Sequence, residues 1–277
     1  MRNKRKASAG VYIVCILLGV LSILPFWIMI VNATRSTVQI QSHAISLIPS
    51  THILENFKVL TGKTFNPVSG FINSVIIATG ATICSVYFST MTAYSLVAYE
   101  WKMRQPFFTM ILAVMMIPTQ VISIGFYQFM YRIGMTNNLL ALILPAIAAP
   151  MTVFFMRQYM LPSLNLDIVA SARIDGAGEF RTFNSIVLPI MKPAMATQAI
   201  FTYVTTWNSL FLPMVLLTKK ENYTMPIMVS LLKGDIYRTE YGAVYLALTL
   251  SVLPLFVVYF LLSKYIIAGV ALGSVKE

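Results

Sequence analysis

The chain has 277 residues, of which 58% are hydrophobic and 10% are charged, whereas about 25% of the residues of a typical soluble domain are charged. This composition excludes an ordinary soluble globular protein. The net charge of +11 does not indicate a nucleic-acid partner, because the basic residues are scattered through loops without a basic helix face or an aromatic platform.

The first apolar run, Val11 to Ala33, contains no charged residue over 23 positions. At a rise of about 1.5 Å per residue, a helix of this length exceeds the roughly 30 Å hydrocarbon core of a bilayer. Five further runs follow in chain order: Phe71 to Ala98, Phe107 to Tyr127, Leu139 to Met156, Ala194 to Leu217 and Tyr241 to Ser263. Since a chain in hydrocarbon must pair its backbone polar groups internally, we expect an all-α membrane protein with six transmembrane helices, folded as one domain over residues 1–277.

The basic residues before the first run set the expected orientation. They are Arg2, Lys4, Arg5 and Lys6. Because Lys and Arg are enriched in cytoplasmic loops, six spans place both termini in the cytoplasm, with 12 Lys and Arg inside and 8 outside. Two segments are then external: Thr34 to Gly70, with a short helix expected near Leu54 to Leu60, and Thr218 to Glu240.

Charged residues are absent from the expected spans, since all nine acidic and all twenty basic residues lie between or beside them. Ion-coupled carriers usually accept the cost of a carboxylate inside the membrane, because it relays the coupling ion. The pattern therefore counts against a proton-coupled or sodium-coupled carrier. A secondary carrier or a channel that works alone, without partner subunits, nevertheless remains one of the functions open to this chain.

Residues of catalytic or metal-binding type form no recognisable pattern. The fragment from Thr61 to Thr64 ends like a phosphate-binding loop, but Phe57 stands where that loop requires a glycine. His43 and His52 share one loop with no nearby Cys, Asp or Glu cluster. We therefore expect no catalytic residue, no metal site and no cofactor in this chain.

The stretch from Asp167 to Pro189 is the most informative part of the cytoplasmic loops, within a segment of about 160–192 between the fourth and fifth spans. Its apolar residues recur at helical spacing on either side of Asp175 and Gly176, which predicts two short helices joined by a turn in which Gly176 provides either a positive φ or a close approach. Small residues permit another protein to approach closely: Ala170, Ser171, Ala172 and Ala177. Phe183 is expected to fill a pocket of such a partner. An amphipathic linker lying on the lipid surface is the alternative.

Several motifs resemble those of ABC importer permeases. The turn Asp175-Gly176-Ala177, followed by Phe183 and by Leu188-Pro189, is similar to the "EAA" loop that docks into a cleft of the ATPase subunit. Further motifs resemble the carbohydrate-uptake, maltose-permease-like branch and cover most of the chain: Phe155 to Tyr159, Trp207-Asn208 followed by Pro213, Gly269 to Lys276, Asn73-Ser74 and Ala93-Tyr94.

The resemblance implies a transporter subunit in the bacterial inner membrane that imports a carbohydrate, which is either an oligosaccharide or a polyol. Its implied partners are a second, homologous permease, two ATPase subunits that bind ATP and Mg, an extracellular solute-binding protein and membrane lipid. The residues expected to couple to the ATPase are Ala170, Ser171, Ala172, Asp175, Gly176, Ala177, Phe180, Phe183 and Pro189. The C-terminal tail near Gly273 and Lys276 is also expected to reach the ATPase. A permease for another solute class is the second alternative.

Two features qualify what the family pattern implies. The glutamate that names the loop is replaced by Ala170, so the docking contact must rely on the glycine turn and on apolar residues. Trp207 and Asn208 have the chemistry of sugar contacts in a translocation path. A role of Trp207 in packing or as an interfacial anchor is the favoured interpretation.

Overall fold

The computed structural model describes residues 9–62, 66–232 and 239–273, and within these ranges it contains helices and loops but no strand. The N-terminal basic cluster Arg2–Lys6 lies outside the described residues. The α-helices are α1 (Ala9–Ala33), α2 (Thr37–Ser42), α3 (Ile53–Thr61), α4 (Pro67–Ala98), α5 (Arg104–Met115), α6 (Thr119–Arg132), α7 (Leu140–Ile143), α8 (Pro150–Ser163), α9 (Leu166–Ile174), α10 (Glu179–Thr182), α11 (Leu188–Trp207), α12 (Phe211–Leu216), α13 (Met225–Leu232) and α14 (Tyr241–Gly273). The prediction of an all-α protein is confirmed for this part of the chain.

Four described stretches are long and apolar enough to cross a membrane: Gly10–Ala33, Pro67–Ala98, Leu140–Ser163 and Tyr241–Leu261. The count becomes five if α5 and α6, which bend by 101° at their junction, are taken together as one span. The expected run from Ala194 to Leu217 is divided instead between α11 and α12, so the count of six spans stays a prediction.

The helices group into two compact units. The first contains the chain up to Pro67 together with Met228–Leu253, and the second contains Val68–Ile227 together with the chain from Pro254 onward. The short helix expected near Leu54 to Leu60 is α3 of the first unit.

Arg35 organises the loop of the first unit. Arg35 is 8% exposed, and its guanidinium donates to Asn32 Oδ1, to His43 O and to Gln39 O over 2.7–3.0 Å. The buried Asn56 amide in turn donates to the carbonyl oxygens of Ala33 and Arg35. Backbone and amide oxygens thus satisfy a buried cation, which lowers the cost of removing it from water.

The core of the second unit joins α4, α8, α9 and α11. Its buried members are mostly methionine, valine and aromatic side chains: Val86, Tyr94, Val97, Met156, Met160, Leu164, Val169, Phe183, Val187 and Met191, with Ala93 and Ala194. Ser85 on α4 donates to Thr152 on α8 over 3.2 Å. This core fixes α9 and its neighbours to the long helix α4.

Candidate functional site

The segment from α9 to α10 has the local structure that its sequence predicts, two short helices around a glycine turn. The Asn165 side chain caps α9 by accepting from the N–H of Asp167 over 2.9 Å. At the other end Gly176 has φ +76°, its N–H donates to Arg173 O, and the Ala177 N–H donates to Ala172 O. These two bonds form a Schellman motif, which explains why a glycine is needed there.

One side of this segment is buried in the second unit. Val169 is 1% exposed, Ala172 6% and Phe183 2%. The Phe183 ring packs against Tyr87 and Tyr94 on α4, with centroid distances of 5.6 and 5.7 Å. Deleting a buried aromatic ring typically costs about 3–5 kcal/mol, so these contacts hold the segment firmly on α4.

The carboxylate of Glu179 joins both short helices to the end of α4. Arg173 on α9 donates to it twice, from Nε to Oε1 over 2.7 Å and from Nη2 to Oε2 over 3.3 Å. Tyr94 donates to Oε2 over 3.3 Å, and Tyr99 donates to the same oxygen. The Arg173 guanidinium also lies over the Tyr99 ring, 5.1 Å from its centroid. We call these four residues the Glu179 cluster.

The charges within the Glu179 cluster stabilise each other. Hydrogen bonds from Arg173 and then from Tyr99 hold the pKa of the Glu179 carboxyl below its usual value of 4.5. The same hydrogen bond raises the pKa of the Arg173 guanidinium. Burial, followed by the bond to Glu179, raises the pKa of the Tyr99 hydroxyl. Because both ion-pair side chains keep 38–47% of their surface exposed, the pair contributes only about 0.2–1 kcal/mol.

The opposite side of the segment presents apolar side chains to the surroundings. Ile174 is 86% exposed and Phe180 is 71% exposed. Beside them lies a surface pocket of about 320 Å³, and its lining residues are Ala172, Asp175, Gly176, Ala177, Arg181, Thr182, Ser185 and Ile186. These exposed apolar side chains and the concave surface leave room for a protein partner to dock against the turn.

A π-helical turn, Phe183–Val187, connects α10 to α11. Pro189 follows it, and proline both lacks an N–H and clashes with the carbonyl group four residues before it. The chain accommodates this by a wider turn in which the Leu188 N–H bonds to Phe183 O. Helical backbone therefore continues from α10 through the π turn into α11 without a break.

The structure brings together most of the residues expected to couple to an ATPase. Exposed positions on the α9–α10 side are Ala170, Ser171, Asp175, Gly176 and Phe180, while Ala177 is half-buried and Ala172 is buried. Phe183 lies inside the core, so Phe180 is the ring that is available to a partner. Sequence reasoning missed Ile174 and the Glu179 cluster. Arg173 and Glu179 flank the glycine turn as opposite charges, which was a usable signal.

The other expected site residues lie elsewhere. Trp207 is 2% exposed, stacked on Tyr203 and edge-to-face with Phe71 at 5.9 Å each, whereas Asn208 is exposed at the end of α11. Gly273 is the last residue of α14, and Lys276 lies outside the described residues.

Asn137 and Asn73 hold a second loop, residues 218–223, at the opposite end of α4. Asn137 has φ +59°, and its side-chain oxygen accepts from the N–H groups of Thr218 and Lys219 over 3.1 and 2.8 Å. Asn73 on α4 donates to Glu221 O and Tyr223 O. Since Asn73 precedes Tyr94 by 21 residues, this loop lies about 30 Å from the Glu179 cluster. The two ends of one rigid helix are thus attached to two surface loops.

Metal coordination has no candidate group in the described ranges, where three or more His, Cys, Asp or Glu side chains do not converge. The arrangement has instead the features of a protein docking surface, with exposed apolar side chains on a segment that is anchored from behind.

Comparison with known proteins gives consistent results. The family model of the binding-protein-dependent transport system inner membrane component matches residues 85–271. The arabinooligosaccharides transport system permease protein of Halalkalibacterium halodurans is 33% identical, with 92% of each chain covered. The diacetylchitobiose uptake system permease protein of Streptomyces coelicolor is 30% identical, over 99% of this chain and 91% of that protein. The lactose transport system permease protein of Rhizobium radiobacter is 29% identical, over 96% and 95%.

A solved structure shares the fold. It is the crystal structure of a bacterial ABC transporter involved in the import of the acidic polysaccharide alginate, matched with a TM-score of 0.77 at 20% identity over 96% of this chain and 99% of that chain. The chain therefore belongs to the family of binding-protein-dependent transport system inner membrane components.

Proposed function

We propose that this chain is the permease subunit of a binding-protein-dependent ABC importer. Its proposed substrate is a carbohydrate, which is either an oligosaccharide or a polyol. The family and the relatives named for arabinooligosaccharides, diacetylchitobiose and lactose support this substrate class. The chain forms half of the translocation path, and ATP is hydrolysed by another subunit that holds ATP and Mg.

The proposed assembly lies in the bacterial inner membrane. This chain crosses it six times, has both termini in the cytoplasm and pairs with a second, homologous permease. Two ATPase subunits bind on the cytoplasmic side, and the tail near Gly273 and Lys276 reaches them. A loaded solute-binding protein docks outside, where the loop 218–223 provides a surface already fixed to α4.

The α9–α10 segment acts as the coupling segment in this proposal. Ile174 and Phe180 enter a cleft of the ATPase, and the small residues around Gly176 allow close contact of the two backbones. When the ATPases close on ATP, the segment moves with them. Phe183 and the Glu179 cluster transmit that movement into α4, and the π turn transmits it into α11.

The energetic requirement is a differential affinity. A two-state bundle shifts from about 1:99 to 99:1 only when the ATPase binds one state about 5.5 kcal/mol more tightly than the other. Ile174 and Phe180 supply part of this difference where they are buried more deeply in one state than in the other, at about 1.5–3 kcal/mol for a fully buried large apolar side chain. The remainder must come from the two-fold repetition of docking in the paired assembly and from the second permease.

The observation that carries the proposal is an exposed apolar turn, anchored from behind, in a chain that belongs to this family. The test is affinity purification of the tagged chain from its native membrane in mild detergent, followed by identification of the proteins that stay bound. We expect a second permease and an ATPase. A chain recovered alone that transports in vesicles without ATP would overturn the proposal in favour of a secondary carrier.

A pair of variants localises the contact. Phe180→Asp places a charge in the proposed docking surface and should abolish recovery of the ATPase while the second permease is retained. Leu54→Asp is the matched control, because Leu54 is 72% exposed but lies on α3, away from α9 and α10 in the chain. Equal ATPase recovery with both variants contradicts the assignment of the coupling segment.

A further inference from the structure

An uncharged loop follows α1 in the first unit. Between Arg35 and Glu55 the chain contains no Asp, Glu, Lys or Arg, although this stretch is expected to lie outside the spans. Within it, residues 44–49 have the sequence Ala-Ile-Ser-Leu-Ile-Pro, and we call them the apolar lobe. Its three largest side chains are exposed: Ile45 by 78%, Leu47 by 54% and Ile48 by 78%.

Hydrogen bonds fix where the apolar lobe lies relative to α1. They are Arg35 Nη1 to His43 O (2.7 Å), Asn32 Nδ2 to Ala44 O (3.0 Å) and Trp27 Nε1 to Leu47 O (3.2 Å). The acceptor carbonyl groups run forward from His43 to Leu47, while the donor side chains run backward from Arg35, just after α1, to Trp27 within it. Trp27 precedes the end of α1 by six residues, so Leu47 lies about 9 Å below that end, measured along the helix axis.

The chain then returns to the end of α1. The Ser50 N–H donates to Thr34 Oγ1 over 2.8 Å, and the His52 N–H donates to Thr34 O over 2.9 Å. Both ends of the lobe are thus pinned near the end of α1, while its apolar tip points back along the helix toward the membrane-spanning part.

We propose that the apolar lobe inserts into the lipid interface, at the boundary between headgroups and acyl chains in the leaflet where α1 ends. The 24-residue span of α1 is about 36 Å long, against a hydrocarbon core of roughly 30 Å. A centred helix of this length extends about 3 Å beyond the core at each end, so the tip of a lobe that reaches about 9 Å below that end lies about 6 Å inside the boundary of the core. Interfacial segments bury their apolar side chains to about 5–10 Å.

The occupant is lipid because the lobe continues the apolar surface of α1, a helix long enough to cross a membrane. None of the apolar window of α1 is buried inside the chain, and Trp27, which contacts the lobe, is an aromatic residue of the kind enriched at the interface. The lobe is irregular backbone, which is costly in hydrocarbon unless its polar groups have partners. Two of these groups are satisfied within the chain, since Leu47 O accepts from Trp27 Nε1 over 3.2 Å and the Ile48 N–H donates to the Ser46 hydroxyl over 3.3 Å.

Site-specific fluorescence on the full chain tests this, with whatever subunits purify with it, in lipid nanodiscs. Ile48→Cys and Ile45→Cys, each in a Cys15→Ala, Cys84→Ala background, are labelled with a polarity-sensitive fluorophore. Val38→Cys is the matched control, since Val38 is 73% exposed on α2 beyond the end of α1. We expect blue-shifted emission at positions 45 and 48 and its quenching by lipids brominated near the headgroup, with neither effect at position 38.

Two results would overturn the proposal. Water-like emission at positions 45 and 48, unchanged by brominated lipid, shows a lobe in solvent. Blue-shifted emission that brominated lipid does not quench shows a lobe covered by protein. Neither result affects the proposed transport function, which is measured by ATPase recovery and by uptake.

Discussion

Phe180 and Phe183 are only three positions apart in sequence, but we expect Phe180 to affect ATPase docking and Phe183 to affect the stability of the fold. Phe180 is 71% exposed and Phe183 is 2% exposed. Complete burial of a phenylalanine contributes about 1.5–3 kcal/mol, so docking that covers the exposed part of Phe180 contributes about 1–2 kcal/mol. At about 1.4 kcal/mol per factor of ten, Phe180→Ala should weaken ATPase binding roughly 5-fold to 30-fold.

The same substitution at Phe183 should act on stability. Phe183→Ala leaves a cavity between Tyr87 and Tyr94 and should lower the free energy of unfolding by about 3–5 kcal/mol. Phe180→Ala should leave the Tm unchanged. Titration of a labelled ATPase subunit against the purified permease pair in nanodiscs gives the affinity, and a thermal melt of each variant gives the Tm. An unchanged ATPase affinity for Phe180→Ala would show that the Phe180 ring is not buried on docking.

Three further predictions concern single positions. Gly176→Ala should lower the free energy of unfolding by about 1–2 kcal/mol through backbone strain alone, since a Cβ there meets no atom within 4 Å. Gly178→Ala is the control, because Gly178 is equally open but has φ −65°, and its Tm should be unchanged. Equal Tm values for the two variants would contradict the strain at Gly176. Because the pKa of Glu179 is depressed in the folded chain, its contribution is complete above the usual value of 4.5 and is lost as the pH falls through the lower folded value. Melting curves of Glu179→Gln and wild type should therefore converge at acid pH, and a constant difference argues against it. Gly242→Ala puts a Cβ 2.4 Å from Asn56 Oδ1 and should cost about 1–3 kcal/mol, which a wild-type Tm would disprove.

Local chemistry accounts for the parts of the site that sequence reasoning predicted. The glycine turn and its two flanking helices depend on residues within a few positions of each other, so apolar spacing and one glycine suffice to predict them. The positive φ of Gly176 is confirmed. The short helix α3 in the first unit was predictable for the same reason.

Non-local packing accounts for what sequence reasoning missed. Phe180 and Phe183 are equally apolar, and the packing of Phe183 on α4 decides which ring is buried. Within the Glu179 cluster, Glu179 is bonded to Tyr94 and Tyr99, which precede it by 85 and 80 positions. No local sequence pattern reveals contacts over such separations. The expected span from Ala194 to Leu217 is interrupted because α11 ends at Trp207 and the chain becomes helical again only at Phe211, as α12.

The most direct test of the central claim is uptake of a labelled oligosaccharide by proteoliposomes that contain the purified complex. We expect the sugar to accumulate only with ATP and Mg on the ATPase side and the solute-binding protein on the other, and we expect Phe180→Asp to abolish this accumulation. Accumulation without ATP, driven by an ion gradient and unaffected by Phe180→Asp, would contradict it.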